Sequence, residues 1–600
     1  MILQRLAEHY DRIATTGNEE AQLAPPGYSR QKISFCIVLE PDGRLNQFKS
    51  LQEKVGKALL ATPMTVPGQG KPSGQNLNPC FLWDNASYLL GWSSDPDKIA
   101  RAALAFEAFR NRHLELEELI AHPAFSAVCS FLRGWSPEQA LDYQELLSEI
   151  ATNFGVFRIA GEMKYVHELV TAPPKAVAQD SVSDSPVVRG TCLISGVTDE
   201  ISRLHEPKIK GVDNAQTSGA LLVSFNASAY ESYGKSQSYN ASVGAVAAFK
   251  YANALNHLLD RRRGRRVSLG DSTVVFWADH ASPLEDGLSA LFTEPFPGEG
   301  PPVEEDQERL RQARLLLTQL RNGAAEPVEP EDGEPTKFFL LGLSPNASRL
   351  SVRLWVEADA AELQRRLGQH LRDVALADSR DDRLLTLRRI VAATGRAEHD
   401  AKGRLKSFDT KATSPQLAGD LARSVLTGAA YPQSLLATML RRIHSDGEVA
   451  YARVAAIKAC LIRNSRLRGN PLEVSMKLDP SESNVGYNCG RLFALLEKAQ
   501  TDSAGVELNS TIKDRYFSSA STTPALVFPR LFRLSQHHLA KLETGHKISY
   551  DRRFGDVMRQ LDQFPRQLSL EDQGRFVIGY FHQRQDLYTS KKDKEEGANA

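Results

Sequence analysis

The stretch Pro67-Gly68-Gln69-Gly70-Lys71-Pro72-Ser73-Gly74-Gln75-Asn76-Leu77-Asn78 concentrates groups suited to non-covalent chemistry. Glycine lets a backbone approach a ligand closely. The side chains of Ser73, Gln75, Asn76 and Asn78 can donate and accept hydrogen bonds at base edges, and Lys71 can meet a phosphate. Loops of this kind suit minor-groove reading. An ordinary surface loop has the same composition, so the stretch alone leaves both readings open.

Three further clusters add charge. Lys208-Ile209-Lys210-Gly211 precedes a stretch, Tyr230 to Asn240, that interleaves aromatics with hydrogen-bonding side chains. Its Lys235, Gln237 and Asn240 fit stacking and backbone contacts, or a plain loop. Arg261, Arg262, Arg263, Arg265 and Arg266 put five arginines into six residues. They could cap a helix dipole or contact phosphate. Arg441, Arg442, Arg453, Lys458, Arg463, Arg466 and Arg468 face only Asp446 and Glu448 in the local sequence. This reads as a basic face, either solvated or set against a nucleic-acid backbone.

Signatures of covalent chemistry are missing. There is no GxxxxGKS/T phosphate loop, no GxGxxG after a strand, no HExxH and no GxSxG elbow. His399-Asp400 is a lone pair, expected at a solvated helix end. The six cysteines, at 36, 80, 129, 192, 460 and 489, form no CxxC and have no metal-ligand spacing to a histidine. They read as small core residues in a reducing compartment. No catalytic residue, metal or cofactor is assigned, and the chain is expected to be non-catalytic.

The elements that position these clusters follow from patterning. The 600 residues carry 73 Lys plus Arg and 73 Asp plus Glu, so the formal net charge is zero. That argues against a uniformly basic nucleic-acid binder but not against local basic patches. Apolar residues at Ile2, Leu3, Leu6, Tyr10 and Ile13 predict an N-terminal helix whose interrupting charges exclude a signal peptide. No apolar run is long enough to span a bilayer. Alternation from Ile33 to Leu39, with Pro41-Asp42-Gly43 as the turn, predicts a hairpin over 32–49. Residues 63–80 read as a loop. Helix is expected from about 96 to 150 and over 243–259, and strands at Leu221–Phe225 and Thr273–Ala278. Asn85 is expected to cap a helix.

Residues 172–190 read as a linker. Residues 285–335 hold 13 acidic and 4 basic residues, predicting a solvated connector around a short helix at 304–321. A second hairpin is expected, Phe338–Leu343 and Leu350–Val356 around Ser344-Pro345-Asn346, and helix thereafter. The fold class is α+β: an N-terminal region of β-hairpins and helices followed by an all-α C-terminal bundle. The expected domains are 1–171, 191–357 with the acidic insert, a helical 358–475, and a helical bundle 476–600.

Several stretches, in this order, carry a resemblance. They are Met1–Asp11; Phe81-Leu82-Trp83-Asp84-Asn85-Ala86-Ser87-Tyr88-Leu89-Leu90-Gly91; Lys208-Ile209-Lys210-Gly211-Val212; Leu222-Val223-Ser224-Phe225-Asn226 through Glu231-Ser232-Tyr233-Gly234-Lys235; Leu341-Gly342-Leu343-Ser344-Pro345-Asn346-Ala347; and Gly579-Tyr580-Phe581-His582-Gln583-Arg584. Over essentially its whole length the chain resembles the large subunit of the type I-C CRISPR effector complex (Cascade), the Csd family of the Dvulg subtype. The resemblance implies antiviral defence by a cytoplasmic prokaryotic ribonucleoprotein complex, without membrane contact.

Its implied partners are the CRISPR guide RNA, double-stranded target DNA and the displaced single strand. They also include the backbone and guide-5′-end subunits, a small subunit, and a helicase-nuclease recruited afterwards. The implied role is recognition of the PAM, a short motif in duplex DNA, followed by duplex opening and R-loop formation. Lys71, Ser73, Gln75, Asn76 and Asn78 are the expected PAM-loop contacts, and the basic clusters the expected backbone contacts. Such a family also implies that a C-terminal piece can be translated separately as the small subunit. Met476, after Gly469-Asn470-Pro471, is the candidate internal start. Two rival readings are a nuclease or helicase on the same DNA, and a scaffold that never reads DNA.

Overall fold

The computed structural model describes residues 1–15, 23–55, 58–68, 70–71, 76–170, 188–269, 272–293, 304–326, 335–377, 385–401, 403–410, 413–504 and 510–589. They form two compact units: Met1–Leu259 with Pro345–Ser351, and Asp260–Ser344 with Val352–Ala600. Residues 358 and 476 both lie inside the second unit.

The first unit contains, in chain order, α1 (Ile2–Thr15), β1 (Tyr28–Leu39), β2 (Leu45–Ser50), β3 (Gln52–Val55), β4 (Ala58–Pro67), β5 (Trp83–Asn85), α2 (Ala86–Leu90), α3 (Ile99–Glu115), α4 (Pro123–Gly134), α5 (Gln144–Ile150), β6 (Phe154–Ile159), α6 (Val166–Leu169), β7 (Arg189–Thr191), β8 (Thr198–Glu200) and α7 (Ala245–Leu258). β1 organises its main sheet. One edge pairs antiparallel first with β4 and then with β2; the other runs parallel to β6, which carries β5. The parallel pairing needs a long crossover, and β5 with helices α2 to α5 lies within that connection.

Strand alternation assigns β1 to two cores. Phe35, Ile37 and Leu39 pack with Phe106, Phe109, Phe125, Phe131 and Phe157. Cys36 and Val38 join Val66, Trp83 and Val156 on the other face, and Ile33 joins them because the register shifts between Ile33 and Phe35, which breaks the alternation there. Burial on both faces explains why Ile33–Leu39 is apolar at every position but Ser34. α1 buries Leu6, Tyr10 and Ile13, as its spacing predicts, and packs on α7.

The second unit contains β9 (Arg266–Leu269), β10 (Ser272–Ala278), α8 (Leu284–Thr293), α9 (Glu304–Asn322), β11 (Lys337–Asn346), β12 (Arg349–Asp359), α10 (Ala360–Val374), α11 (Leu387–Ala392), β13 (Arg396–His399), β14 (Leu405–Asp409), α12 (Pro415–Thr427), α13 (Gln433–Asp446), α14 (Tyr451–Leu467), α15 (Val485–Ala504), α16 (Ile512–Thr522), α17 (Pro524–Leu539), α18 (Thr544–Met558) and α19 (Leu570–Tyr588). A four-stranded sheet runs β12-β11-β10-β9, and helices follow. α15 and α19 cross so closely that a methyl group on Gly490 would collide with the Phe576 carbonyl, and one on Gly579 with the Tyr487 carbonyl.

Both hairpins form as expected. Gly43, at φ +91°, closes the first turn by donating its N–H to the Glu40 carbonyl. In the second, β11 continues to Asn346, so the expected turn residues Ser344-Pro345-Asn346 belong to the strand and the turn is Ala347-Ser348, with Ala347 at φ +54°. Four expectations need correction. Residues 63–67 belong to β4. Leu221–Phe225 forms no strand; Leu221 makes one isolated bridge to Arg349. The 285–335 region is packed in both of its described helical parts, because α8 buries Leu288 and Leu291, and α9 buries Leu317 and Leu320. The helical region after 358 is interrupted by the β13–β14 hairpin, and His399 ends β13 rather than a helix.

The expected linker at 172–190 lies almost wholly outside the described residues. All six cysteines are buried and unpaired with one another. No helix among the described residues is long and apolar enough to cross a membrane.

Candidate nucleic-acid interface

The 67–78 segment is tied down at both ends. At its start, Trp83 Nε1 donates to the Pro67 carbonyl at 2.6 Å. At its end, Arg112 Nη1 donates to the Pro79 carbonyl at 2.9 Å, and Asp84 accepts the Cys80 N–H at 3.0 Å. The Tyr88 hydroxyl accepts the Asn78 N–H at 3.3 Å. Leu82 sits at φ +63°, and its N–H is held by His113 Nε2 at 3.0 Å. Burial pushes the His113 pKa down to about 3, which keeps that nitrogen an acceptor. α3 therefore supplies two anchors, and β5 with α2 supplies three. Asn85 caps α2 as expected, accepting the Ser87 N–H at 3.1 Å.

Lys71 does not reach outward. Its ammonium lies 2.5 Å from the fully buried Asp84 carboxylate, 2.7 Å from the Asn78 carbonyl and 3.3 Å from the centre of the Tyr88 ring. The phosphate role expected for it is corrected by this geometry. A lysine whose charge is neutralised across the loop base is a clamp. Asn76 is exposed and Asn78 half-buried. Ser73 and Gln75 lie outside the described residues.

The second polar region belongs to the same unit. The Asn256 side chain, on α7, accepts the Lys210 N–H at 2.7 Å and donates to the Lys208 carbonyl at 3.0 Å. Ile209 bridges to Ala220, and Leu221 bridges to Arg349. The Arg349 guanidinium stands 5.0 Å from the Tyr230 ring centre. Lys210 and Lys235 are exposed, and Lys208 is half-buried.

Gln237 and Asn240, expected as nucleic-acid contacts, serve the loop itself. Gln237 Oε1 accepts from Arg203 at 2.9 Å. Asn240 Oδ1 accepts from the Ser232 N–H at 3.0 Å, and its Nδ2 donates to the Lys235 and Gln237 carbonyls at 2.7 and 2.9 Å. Both donors of that amide are used inside the chain.

The arginine run divides. Arg265 pairs with Glu285 and Asp286 at 3.0 and 2.6 Å, which gives it a structural partner. Arg261 is exposed, Arg263 and Arg266 are half-buried, and the Arg262 side chain lies outside the described residues.

The basic stretch 441–468 needs the largest correction. Arg453, Lys458 and Arg463 are buried, at 0, 2 and 1 % exposure. Arg453 bonds Asp446 and the carbonyls of Ala393 and Gly395. Arg463 and Arg466 share Asp373, at 3.1 and 2.7 Å. Lys458 donates to the Ala375 carbonyl at 2.8 Å, just past the end of α10, and burial pushes its pKa down to about 8. Arg442 reaches Asp446 at 3.7 Å and Arg468 reaches Glu571 at 2.8 Å. Only Arg441 of the seven is exposed without an ion pair among the described residues. Local charge counting misses acids that arrive from distant sequence.

Within the second unit, a cleft of about 2330 Å³ is lined by Arg372, Lys458 and Arg584 and by the segment around Met476. Met476 is 51 % exposed, and its carbonyl accepts the Ala377 N–H at 2.9 Å. His399 bonds Glu448 at 3.2 Å, and no group of three or more metal-type ligands occurs among the described residues. Sequence reasoning missed the loop-base partners Asp84 and Tyr88, and the role of Arg349 beside Tyr230.

A family model described as CRISPR-associated protein (Cas_Csd1) matches residues 6–588. No curated protein matches the chain.

Proposed function

The chain belongs to the CRISPR-associated protein (Cas_Csd1) family, and from that premise we propose that it reads the PAM for a type I-C surveillance complex in the prokaryotic cytoplasm. In this reading it is the large subunit. It inspects duplex DNA, opens it beside the PAM, and leaves the rest of the sequence to guide pairing. Such a division of labour, with protein reading a short motif and base pairing reading the target, is known for another RNA-guided effector. R-loop stabilisation and helicase-nuclease recruitment belong to the same proposal, and the subunit itself cuts nothing.

One observation carries the reading. The 67–78 segment is held by buried groups at both ends while Asn76 stays exposed. Anchored ends suit base-edge reading, because less affinity is lost to ordering the segment between them. The exposed Lys210 and Lys235 supply positive charge for phosphates.

The test uses the assembled complex and duplexes differing only in the PAM. Replacing Ser73, Gln75 and Asn76 by Ala is expected to shrink the affinity gap between PAM and non-PAM duplexes by about 1–3 kcal/mol per lost base contact. Lys210→Ala with Lys235→Ala is expected to weaken all duplexes alike and to flatten the salt dependence. An unchanged gap in the first variant removes the PAM assignment. Cleavage of the duplex by the purified chain in Mg²⁺ would replace this reading with the nuclease one.

A further inference from the structure

We infer that Tyr233 is a stacking platform for an unpaired nucleobase. This deepens the nucleic-acid reading above and rests on it.

Tyr233 is 98 % exposed, the most exposed large aromatic among the described residues. A tyrosine ring is a large amphipathic surface that normally finds apolar cover. Here the backbone itself holds it out. Tyr233 adopts φ +54° and Gly234 φ +69°, a left-handed pair at the tip of the 228–240 loop. A tyrosine gains nothing locally from that conformation, since its Cβ makes it unfavourable.

The loop behind the ring is not loose. Ser232 and Lys235 bridge across the tip. Asn240 ties Ser232, Lys235 and Gln237 together, and Arg203 fixes Gln237 from outside the loop. The cross-links converge on the residues flanking Tyr233 and leave the ring uncovered. A ring held ready in this way contacts a ligand without an ordering cost.

The surroundings select the ligand. Lys235 is exposed two residues away, and Lys208, Lys210 and Arg349 lie on the segments joined by the Ile209–Ala220 and Leu221–Arg349 bridges. Glu231 is the single acid in the loop. Of the loop's other two aromatics, Tyr230 already has a cation, Arg349, over its ring, and Tyr239 is half-buried. An exposed ring in a cationic frame fits a nucleobase with its phosphates. Stacking is tolerant of sequence because every base has a π face, but it requires the base to be unpaired.

The test uses the full chain, alone and in the assembled complex, with 2-aminopurine placed along a single-stranded DNA oligonucleotide. An RNA strand of the same sequence and a blunt duplex are the parallel arms. Tyr233→Ala is expected to lose about tenfold or more in affinity for a single strand, together with the fluorescence quenching at one position. Tyr233→Phe keeps both, and duplex affinity stays at the parent's value in each variant. The DNA and RNA arms show which strand is held.

Parent-like binding and quenching in Tyr233→Ala overturns the assignment. So does equal loss in Tyr233→Phe, which would put the effect on the hydroxyl, or impaired assembly of the complex with unchanged strand binding, which would make the ring a protein contact. If the parent binds neither strand nor duplex in either form, the nucleic-acid reading falls as well. If the parent binds and Tyr233→Ala equals it, only the stacking role falls.

Discussion

At the scale of single residues, Lys71 shows how context reverses a sequence reading. Its type and its Gly-rich neighbourhood were legible. Its direction was not, because Asp84 is thirteen residues away and Tyr88 seventeen, and only the β5–α2 junction brings them beneath it. Lys71→Ala would leave the Asp84 carboxylate buried with two backbone donors and no counter-charge. The expected cost is about 3–5 kcal/mol to the first unit, read as a lower urea midpoint. Adding Asp84→Asn should recover part of it. If the double variant is no better than the single one, the pair is not the clamp. Arg453, Lys458 and Arg463 follow the same logic. Their charge was plain in sequence, but the carbonyls and carboxylates that accept it come from β13's approach, α10 and α12.

Among elements, those with local turn chemistry were legible. Pro41-Asp42-Gly43 and the alternation around it specify a hairpin without help from the rest of the chain. The Ala-rich α7 and the amphipathic α1 were readable for the same reason. Leu221–Phe225 was not, since a short apolar run has no fixed meaning until a partner strand is known, and here the partner supplies one bridge. The α15–α19 crossing was also invisible, because glycines as distant in sequence as Gly490 and Gly579 give no joint signal. Gly490→Ala is expected to destabilise the second unit by about 3 kcal/mol or more, since its methyl meets a backbone carbonyl that cannot swing away. Gly555→Ala in α18 is the control. Its methyl would enter open space, so a gain of up to about 1 kcal/mol is expected. Equal melting temperatures for the two variants would refute the close crossing.

For the whole molecule, zero net charge first suggested a poor nucleic-acid partner. The fold qualifies that. Many cations are matched internally by acids such as Asp84, Asp373 and Asp446, and a few, including Lys210 and Lys235, remain at the surface. The histidines make a second global statement. Burial pushes His113 and His370 down to about 3, and His167, His205 and His582 down to about 4. Groups depressed in the folded state contribute stability that is fully present above their unfolded value, near 6.5, and is lost as pH falls toward the folded values. Between pH 6.5 and 4 each should remove about 1.4 kcal/mol per pH unit. Melting temperature is therefore expected to drop steeply from pH 7 to pH 5, with proton uptake on unfolding measurable by calorimetry in buffers of different ionisation enthalpy. A flat profile would contradict it.

The buried cysteines give the molecule a built-in clock. Burial raises the thiols of Cys36, Cys129, Cys460 and Cys489 to about 12, and Cys80 is raised as well. Cys192 is the exception: burial raises it, but the Ser195 hydroxyl and the amides of Gly244, Ser195 and Ile194 outweigh that and leave it below its ordinary value. Alkylation speed follows thiolate population and access. In a timed exposure to a maleimide, Cys192 should be modified ahead of the other five, each time the turn between β7 and β8 opens. The lag before the second modification then times the opening of the cores themselves.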